Sequence, residues 1–262
     1  MTLPGISCVC PTFARPRLLE EAIHSFLIQD YQGEKELLIL NDFDRQVLHF
    51  DHPQVTVINI SRRFRTLGEK RSATVALCKY DLVAVWDDDD ISLPHRLTYS
   101  WDRYDEEARL YFATKYFIVR DNAIDTIVTV ASHGFSLWHR ELYDEVGGYR
   151  PLDVGQDSDL KKRFVSAVGS LRLVSMPDSE IFYLRRLDGT GSYHQSRFGD
   201  TGRAHESVMK CAINQIDSGE IDEGDIELHP HWERNWADLA SAYLAQGRPD
   251  TPIARPNLDV SH

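Results

Sequence analysis

The apolar positions of this chain fall into two alternating periods. Residues 6–10 form a continuous apolar run stopped at Pro11, the pattern of a strand buried on both faces of a parallel sheet. From Pro16 the period switches to helical, with Leu19, Ile23, Phe26 and Leu27 on one face and Glu20 and Glu21 early, where the helix dipole favours negative charge. Two further strand-like runs follow, 37–40 ending in Asn41 and Asp42, and 55–60, joined by a charged connection. The spacing predicts a helix over 69–79 that turns Ala73, Ala76 and Leu77 inward, then a strand over 82–86 that runs into Asp87, Asp88, Asp89 and Asp90. Such alternation predicts an α/β fold with a mostly parallel central sheet flanked by helices.

Beyond residue 107 the pattern becomes mixed β, with runs at 110–113, 116–119 and 124–130 and a hairpin turn at Asp121 and Asn122. A helix is expected over 156–168, short strands over 171–174 and 181–184, and two closing helices over 203–216 and 232–245, separated by the acidic loop 217–225. From Gly247 the chain is rich in Pro and Asp, and a disordered tail is expected over 247–262.

Charge narrows the partners. Lys and Arg number 29 against 41 Asp and Glu, a net charge of −12, which disfavours nucleic acid without excluding a local basic groove, for which Arg62, Arg63 and Arg65 are the obvious cluster. The four cysteines are too few and too scattered for a disulfide framework. Cys8 and Cys10, two apart on a strand, share one face and read as packing. No apolar stretch reaches the roughly 18 residues of a membrane span, and the N-terminus lacks the basic-then-apolar pattern of a leader. A cytoplasmic location is expected.

The sharpest chemical feature is the aspartate run. Four adjacent carboxylates at the end of a buried strand repel one another unless something compensates, most simply a divalent cation. The carboxyl end of a parallel strand is also where open α/β sheets place ligands. A solvated acidic loop is the alternative. Hard oxygen donors suit Mn2+ or Mg2+, which commonly complete their shells with substrate phosphates. Neither GxxxxGK[ST] nor GxGxxG is present, so another phosphate chemistry is implied.

Five ordered motifs carry a resemblance: Ile6-Ser-Cys-Val-Cys-Pro-Thr-Phe-Ala-Arg15, Leu38-Ile-Leu-Asn-Asp42, Gly68-Glu-Lys-Arg71, Trp86-Asp-Asp-Asp-Asp-Ile91 with Pro94, and Gly147-Gly-Tyr-Arg-Pro151 leading to Gln156-Asp157 and Asp159-Leu160. In this series the chain, over about residues 4–187, resembles the inverting GT-A nucleotide-sugar transferases of glycosyltransferase family 2. The resemblance implies metal-dependent, inverting transfer of a sugar from a nucleoside diphosphate donor, expected to be UDP-linked, to an acceptor hydroxyl. It implies a transferase domain over 1–195, with a nucleotide-binding half (1–107) and an acceptor-side half (108–195), followed by a helical extension over 196–246.

By the same resemblance Pro11, Thr12 and Arg15 lie against the nucleotide, Asp42 reads the base and Arg71 reaches the nucleotide. Asp89, in the DxD-type element, ligates Mn2+ or Mg2+, while Asp87 or Asp88 holds ribose or metal-bound water. Asp157 is the general base; Gln156 beside it departs from the family's usual Glu and bears on the acceptor contact. Arg185 and Arg186 begin a segment expected to close over the diphosphate, with Arg186 the phosphate-binding residue and His194 a third metal ligand. His133 and Trp138 are expected to line the acceptor side. A saccharide acceptor is expected, with lipid-linked glycan, protein and nucleobase open. Two other readings stand beside this one. A sugar-phosphate nucleotidyltransferase would carry a glycine-rich basic loop after the first strand, where residues 11–16 have no glycine. A non-catalytic nucleotide-sugar-binding module would keep the fold without turnover.

Overall fold

The computed structural model describes residues 2–169, 173, 175–187 and 201–246. A six-stranded sheet lies at its centre in the order β4 (Val55–Asn59), β2 (Lys35–Asn41), β1 (Ile6–Thr12), β5 (Leu82–Val85), β10 (Ser136–His139) and β7 (Leu110–Phe112). The first four strands are parallel, and β10 is antiparallel to both of its neighbours. The mostly parallel sheet flanked by helices that the periodicity predicts is therefore present.

Every residue of β1 is buried. Its Ile6, Cys8 and Cys10 pack with Leu19, Ala22, Ile23 and Phe26 of α1 (Pro16–Leu27), whereas Val9 faces a second cluster with Val75 of α2 (Leu67–Ala76) and Leu160 and Phe164 of α5 (Gln156–Val168). Strand alternation thus builds two cores from one apolar run. Burial pushes the Cys8 thiol up to about 12, which leaves it the inert packing residue its spacing suggests.

The helix expected over 69–79 begins earlier and faces a different way. Thr66 caps it, its Oγ1 accepting from the Glu69 amide at 3.1 Å, and the buried stripe is Lys70, Arg71, Thr74 and Val75. Ala76 is exposed, and so is Leu77, at 50%. The helix is rotated so that Lys70 and Arg71 meet carboxylates at the sheet edge, and charge pairing there outweighs burying a leucine.

A second sheet has four strands in the order β6 (Ile91–Ser92), β11 (Tyr183–Arg186), β8 (Lys115–Arg120) and β9 (Ala123–Thr129). The β8–β9 hairpin turns at Asp121 and Asn122, both at positive φ (49° and 59°), as a two-residue type I′ turn requires. Strand β3 (Gln46–His49) lies in the expected charged connection and pairs in parallel with β12 (Gly224–Glu227), which lies at the end of the expected acidic loop. Neither short strand carries an apolar alternation of its own, and the partners are far apart in sequence. Helices α3 (Arg96–Asp102) and α4 (Arg140–Glu145) are short additions, and α6 (Thr201–Asp217) and α7 (Trp236–Ala245) are the closing helices.

The acids near the start of α1 have a different role from the expected dipole one. Glu20 accepts from the His229 amide at 2.8 Å, and Glu21, 2% exposed, accepts from the Glu233 amide at 3.1 Å. Both hold the segment leading into α7. Of the strand expected over 171–174 only Leu173 is among the described residues, outside any strand, and the tail expected from 247 lies outside them. Among the described residues no helix is long and apolar enough to cross a membrane.

The orientation of α2 is directly testable. Leu77→Glu should change stability by less than about 0.5 kcal/mol, whereas Val75→Ala should cost about 2 kcal/mol through two lost buried carbons. Urea denaturation of both variants measures the difference.

Candidate active site

The carboxyl ends of β1, β2 and β5 deliver Pro11 to Phe13, Asp42 and the four aspartates to one edge of the sheet, around a cavity of about 190 Å3. Asp88, Asp89 and Asp90 are buried, between 2% and 6% exposed, Asp87 is half-buried, and each has a partner. Arg15 forks across two of them, Nη2 to Asp88 at 2.6 Å and Nη1 to Asp89 at 2.7 Å. Arg71, from the first half of α2, reaches Asp87 at 2.8 Å. Asp90 takes the Tyr183 hydroxyl at 2.6 Å and the Arg186 amide at 2.8 Å.

These pairings set the local electrostatics. Burial alone would lower the pKa of Arg15, but Asp88, Asp89 and Asp87 outweigh it and keep the guanidinium charged. Burial raises Asp88 to about 6 against the opposing pull of Arg15, and raises Asp90 well above the carboxylate range, helped by Asp89 and Asp87. The compensation that the run of carboxylates demands is thus supplied within the chain by arginines.

On the β2 side, Asp42 accepts from Lys70 Nζ at 2.5 Å and from the Phe64 amide at 3.0 Å, and Lys70 also donates to the Thr12 carbonyl. Beside it the Phe13 ring stands 4.7 Å from Phe43, with the Arg63 guanidinium 3.9 Å from its centroid. An aromatic face, a carboxylate and a cation therefore line one end of the cavity.

The opposite wall comes from later in the chain. A 3-10 turn (His133–Phe135) precedes β10, and a Cβ on its Gly134 would lie 2.8 Å from Asp87 Oδ2, so any larger residue there would have to displace that carboxylate. Buried His133 bonds through Nε2 to the Tyr149 hydroxyl. At the start of α5, Gly155 takes φ +77° and turns the chain so that Gln156 and Asp157 face the cavity at a helix N-terminus. Gln156 Oε1 accepts from the Asp157 amide at 3.0 Å, and Asp157 Oδ1 accepts from the Ser158 amide at 2.7 Å.

With this geometry in place, similarity to known proteins becomes informative. Residues 7–123 match the family model described as Glycosyl transferase family 2. Over this segment, a little under half of the chain, the protein is similar to glycosyl transferase family 2. No curated protein matches the chain in sequence. The crystal structure of S. aureus TarS aligns with 85% of this chain and 41% of its own at 12% identity and a TM-score of 0.54. Its 1–349 fragment aligns over 83% and 72% at 12% identity and 0.51, and the same fragment in complex with UDP at 13% identity and 0.49. At 12% identity the likeness to the first two is one of fold alone, and the chain spans about two fifths of the length of TarS.

Within and around the family 2 segment, the cavity gathers Pro11, Thr12, Arg15, Asp42, Arg71, Asp87, Asp88, Asp89, His133, Gln156 and Asp157. Two expected residues are elsewhere. Arg186 is 6% exposed and faces away, its guanidinium paired with Glu21. Alternation along β11 is the reason: Tyr183 and Arg185 point into the cavity, and Leu184 and Arg186 point behind it. Trp138 is fully buried, stacked 4.9 Å from Tyr143 and 5.7 Å from Phe164, because alternation on β10 turns it into the core under α5. His194 lies outside the described residues. Lys70, Phe13 and Tyr183 carry no expected site role, yet they line the cavity, as do Arg63 of the expected basic cluster and Arg185 of the segment expected to close over the diphosphate. Lys70 sits inside the Gly68-to-Arg71 motif, which was the signal available for it.

The donor set of the family 2 segment fits a hard divalent cation held by few protein ligands. Among the described residues no three His, Cys, Asp or Glu side chains converge as a cage. One or two carboxylates suffice where phosphates complete the shell. Asp88 Oδ2 is buried and accepts no hydrogen bond, and it stands beside Asp89 at the cavity.

Two predictions follow from the electrostatics. Arg15→Met should destabilise the fold by about 3–5 kcal/mol by stranding two buried carboxylates, with part of the loss recovered in Arg15→Met/Asp88→Asn, as read by urea denaturation. Burial holds the His133 imidazole neutral, its pKa lowered to about 3. The unfolded side chain protonates below about pH 6.5, so this contribution is intact above that pH and is lost as pH falls toward 3. At pH 5 it should cost about 2 kcal/mol relative to pH 7, and His133→Gln should remove that share of the acid sensitivity.

Proposed function

We propose that the chain is a metal-dependent, inverting glycosyltransferase that moves a sugar from a UDP-linked donor to an acceptor hydroxyl. The observation that carries the reading is the placement of Asp157 on one wall of a cavity whose other wall is the aspartate–arginine cluster at the ends of β1 and β5. A single displacement at an anomeric carbon needs those two chemistries facing each other, a base on one side and stabilisation of a departing diphosphate on the other. UDP is the nucleotide expected of a family 2 member with this motif series.

In this reading the nucleotide base lies against Phe13 and Asp42, at the end of the cavity that Arg63 closes. Asp88 and Asp89 hold Mn2+ or Mg2+, which when bound neutralises charge on the diphosphate. Arg71 keeps Nε and Nη1 without hydrogen-bond partners, so its fork can serve donor oxygens while Nη2 remains on Asp87. Asp157 takes the proton of the acceptor hydroxyl as that oxygen bonds to the anomeric carbon. The bond from that carbon to the diphosphate oxygen breaks on the opposite face, its electron pair leaving with UDP, so configuration inverts. Gln156, neutral where a Glu would add charge, positions Asp157 through its backbone amide.

Binding and chemistry separate in two variants. UDP with Mn2+ at about 100 times its Kd should add about 2.7 kcal/mol to stability, a midpoint rise of a few degrees, which Asp89→Asn should abolish. Asp157→Asn should keep the rise and lower UDP release from the donor, with a saccharide acceptor panel, by about 10²–10⁴-fold. A midpoint that no nucleotide moves would remove the donor site, and unchanged turnover in Asp157→Asn would remove the base.

A further inference from the structure

Behind the cavity, one carboxylate joins two parts of the chain that the family 2 segment does not contain. Glu21 Oε1 accepts from the Trp236 indole at 2.9 Å and from the Glu233 amide at 3.1 Å, both in the segment entering α7. Its Oε2 pairs with Arg186, whose guanidinium also lies 5.2 Å from the Trp236 ring centroid. Arg186 in turn grips the aspartate loop twice, through its amide to Asp90 Oδ1 at 2.8 Å and through Nη1 to the Asp89 carbonyl at 3.3 Å.

Glu21 and Ser25 on α1, with Gln29 just past the end of the helix, form a buried polar line at i, i+4 and i+8. Ser25 accepts from the Trp232 indole at 2.9 Å and from the Ser92 amide at 3.4 Å. Gln29 donates to the Leu93 carbonyl at 2.9 Å and accepts from the Leu97 amide at 3.0 Å. One helical face therefore holds the chain that follows the aspartates and, at two of its three positions, the C-terminal segment as well. A buried carboxylate and guanidinium persist only while every partner is in place. Undocking the C-terminal segment would strip Glu21 Oε1 of both its donors and open the pair to water.

We propose that Glu21 is a positioning residue that couples docking of residues 232–236 to the geometry of the Asp89–Asp90 backbone, and through it to affinity for the donor diphosphate. The link to affinity rests on the donor-site reading above; the mechanical coupling does not. The full chain is tested as wild type, Glu21→Gln, Glu21→Gln/Arg186→Gln and Trp236→Phe, by calorimetric titration of UDP with Mn2+, thermal midpoint, and amide hydrogen exchange over residues 87–92.

Glu21→Gln should weaken UDP binding at least about tenfold and lower the midpoint. The double variant, free of a stranded charge, should regain midpoint without regaining affinity, which a purely structural pair would not show. Trp236→Phe keeps a ring beside Arg186, loses the indole donor with part of the ring and strands no charge, so it decides the matter even if the charge variants do not fold. It should bind UDP several-fold more weakly and exchange faster over 87–92. A double variant with wild-type midpoint and wild-type affinity, or wild-type exchange over 87–92 in Trp236→Phe, overturns the coupling. A wild type that binds no UDP, with exchange still faster in Trp236→Phe, removes the donor site and leaves the coupling standing.

Discussion

Four carboxylates in succession at the end of a buried strand are the constraint around which this molecule is arranged. At 4 Å two like charges repel by about 1 kcal/mol in water and about 4 kcal/mol at the effective dielectric near a protein surface. Asp87 to Asp90 escape that cost by spreading over different partners. Arg15 arrives from the loop after β1, Arg71 from α2, Tyr183 and the Arg186 amide from β11. Arg96 lies beneath them, 1% exposed, bonded to Ser92 at 2.8 Å and 4.5 Å from the Trp86 ring centroid. Burial lowers its pKa, while Tyr183, Cys8, Asp87 and Asp90 act in the opposite direction. Elements from residue 15 to residue 186 thus converge on one loop because each brings a charge or dipole that the loop needs.

That convergence explains several local choices that otherwise look costly. Helix α2 leaves Leu77 in solvent and buries a lysine and an arginine, because Asp42 and Asp87 stand at its amino end. Glycine at 134 lets the turn before β10 lie against Asp87 with no side chain between. The mixed β half is not an appendage to the sheet: β10 inserts between β5 and β7, and that insertion carries His133 and Gly134 to the carboxylates.

Much of this was legible in the sequence, and the parts that were not share a physical cause. Strands β1, β2 and β5, the α1 and α5 helices and the Asp121–Asn122 turn announce themselves through local period or turn chemistry, and the ordered motifs place the carboxylate cluster at the right edge. Pairing between distant short strands leaves no local trace, so β3 and β12 were invisible. Which of two adjacent arginines faces the cavity depends on strand register, and a one-residue shift exchanges Arg185 for Arg186. Trp138 was misplaced for the same reason, since an aromatic next to a site and one beneath it look alike in sequence. Glu20 and Glu21 look like dipole partners of their own helix until the C-terminal segment brings the N–H donors from which they accept.

The cavity's two walls have different origins, and this bears on how such a site can vary. Pro11 through Asp90, the wall of carboxylates and arginines, lies inside the segment that matches glycosyl transferase family 2. His133, Gln156, Asp157 and Arg185 lie beyond it, on a turn, a helix start and a strand. The first wall is rigid by necessity, because each of its charges is another's partner and none can be changed alone. On the second wall, the neutral Gln156 side chain accepts from the backbone amide next to it, so it can change without stranding a charge elsewhere. Difference in what the cavity accepts is therefore least costly there, while the carboxylate cluster, tied through Arg186 and Glu21 to the C-terminal segment, stays as it is.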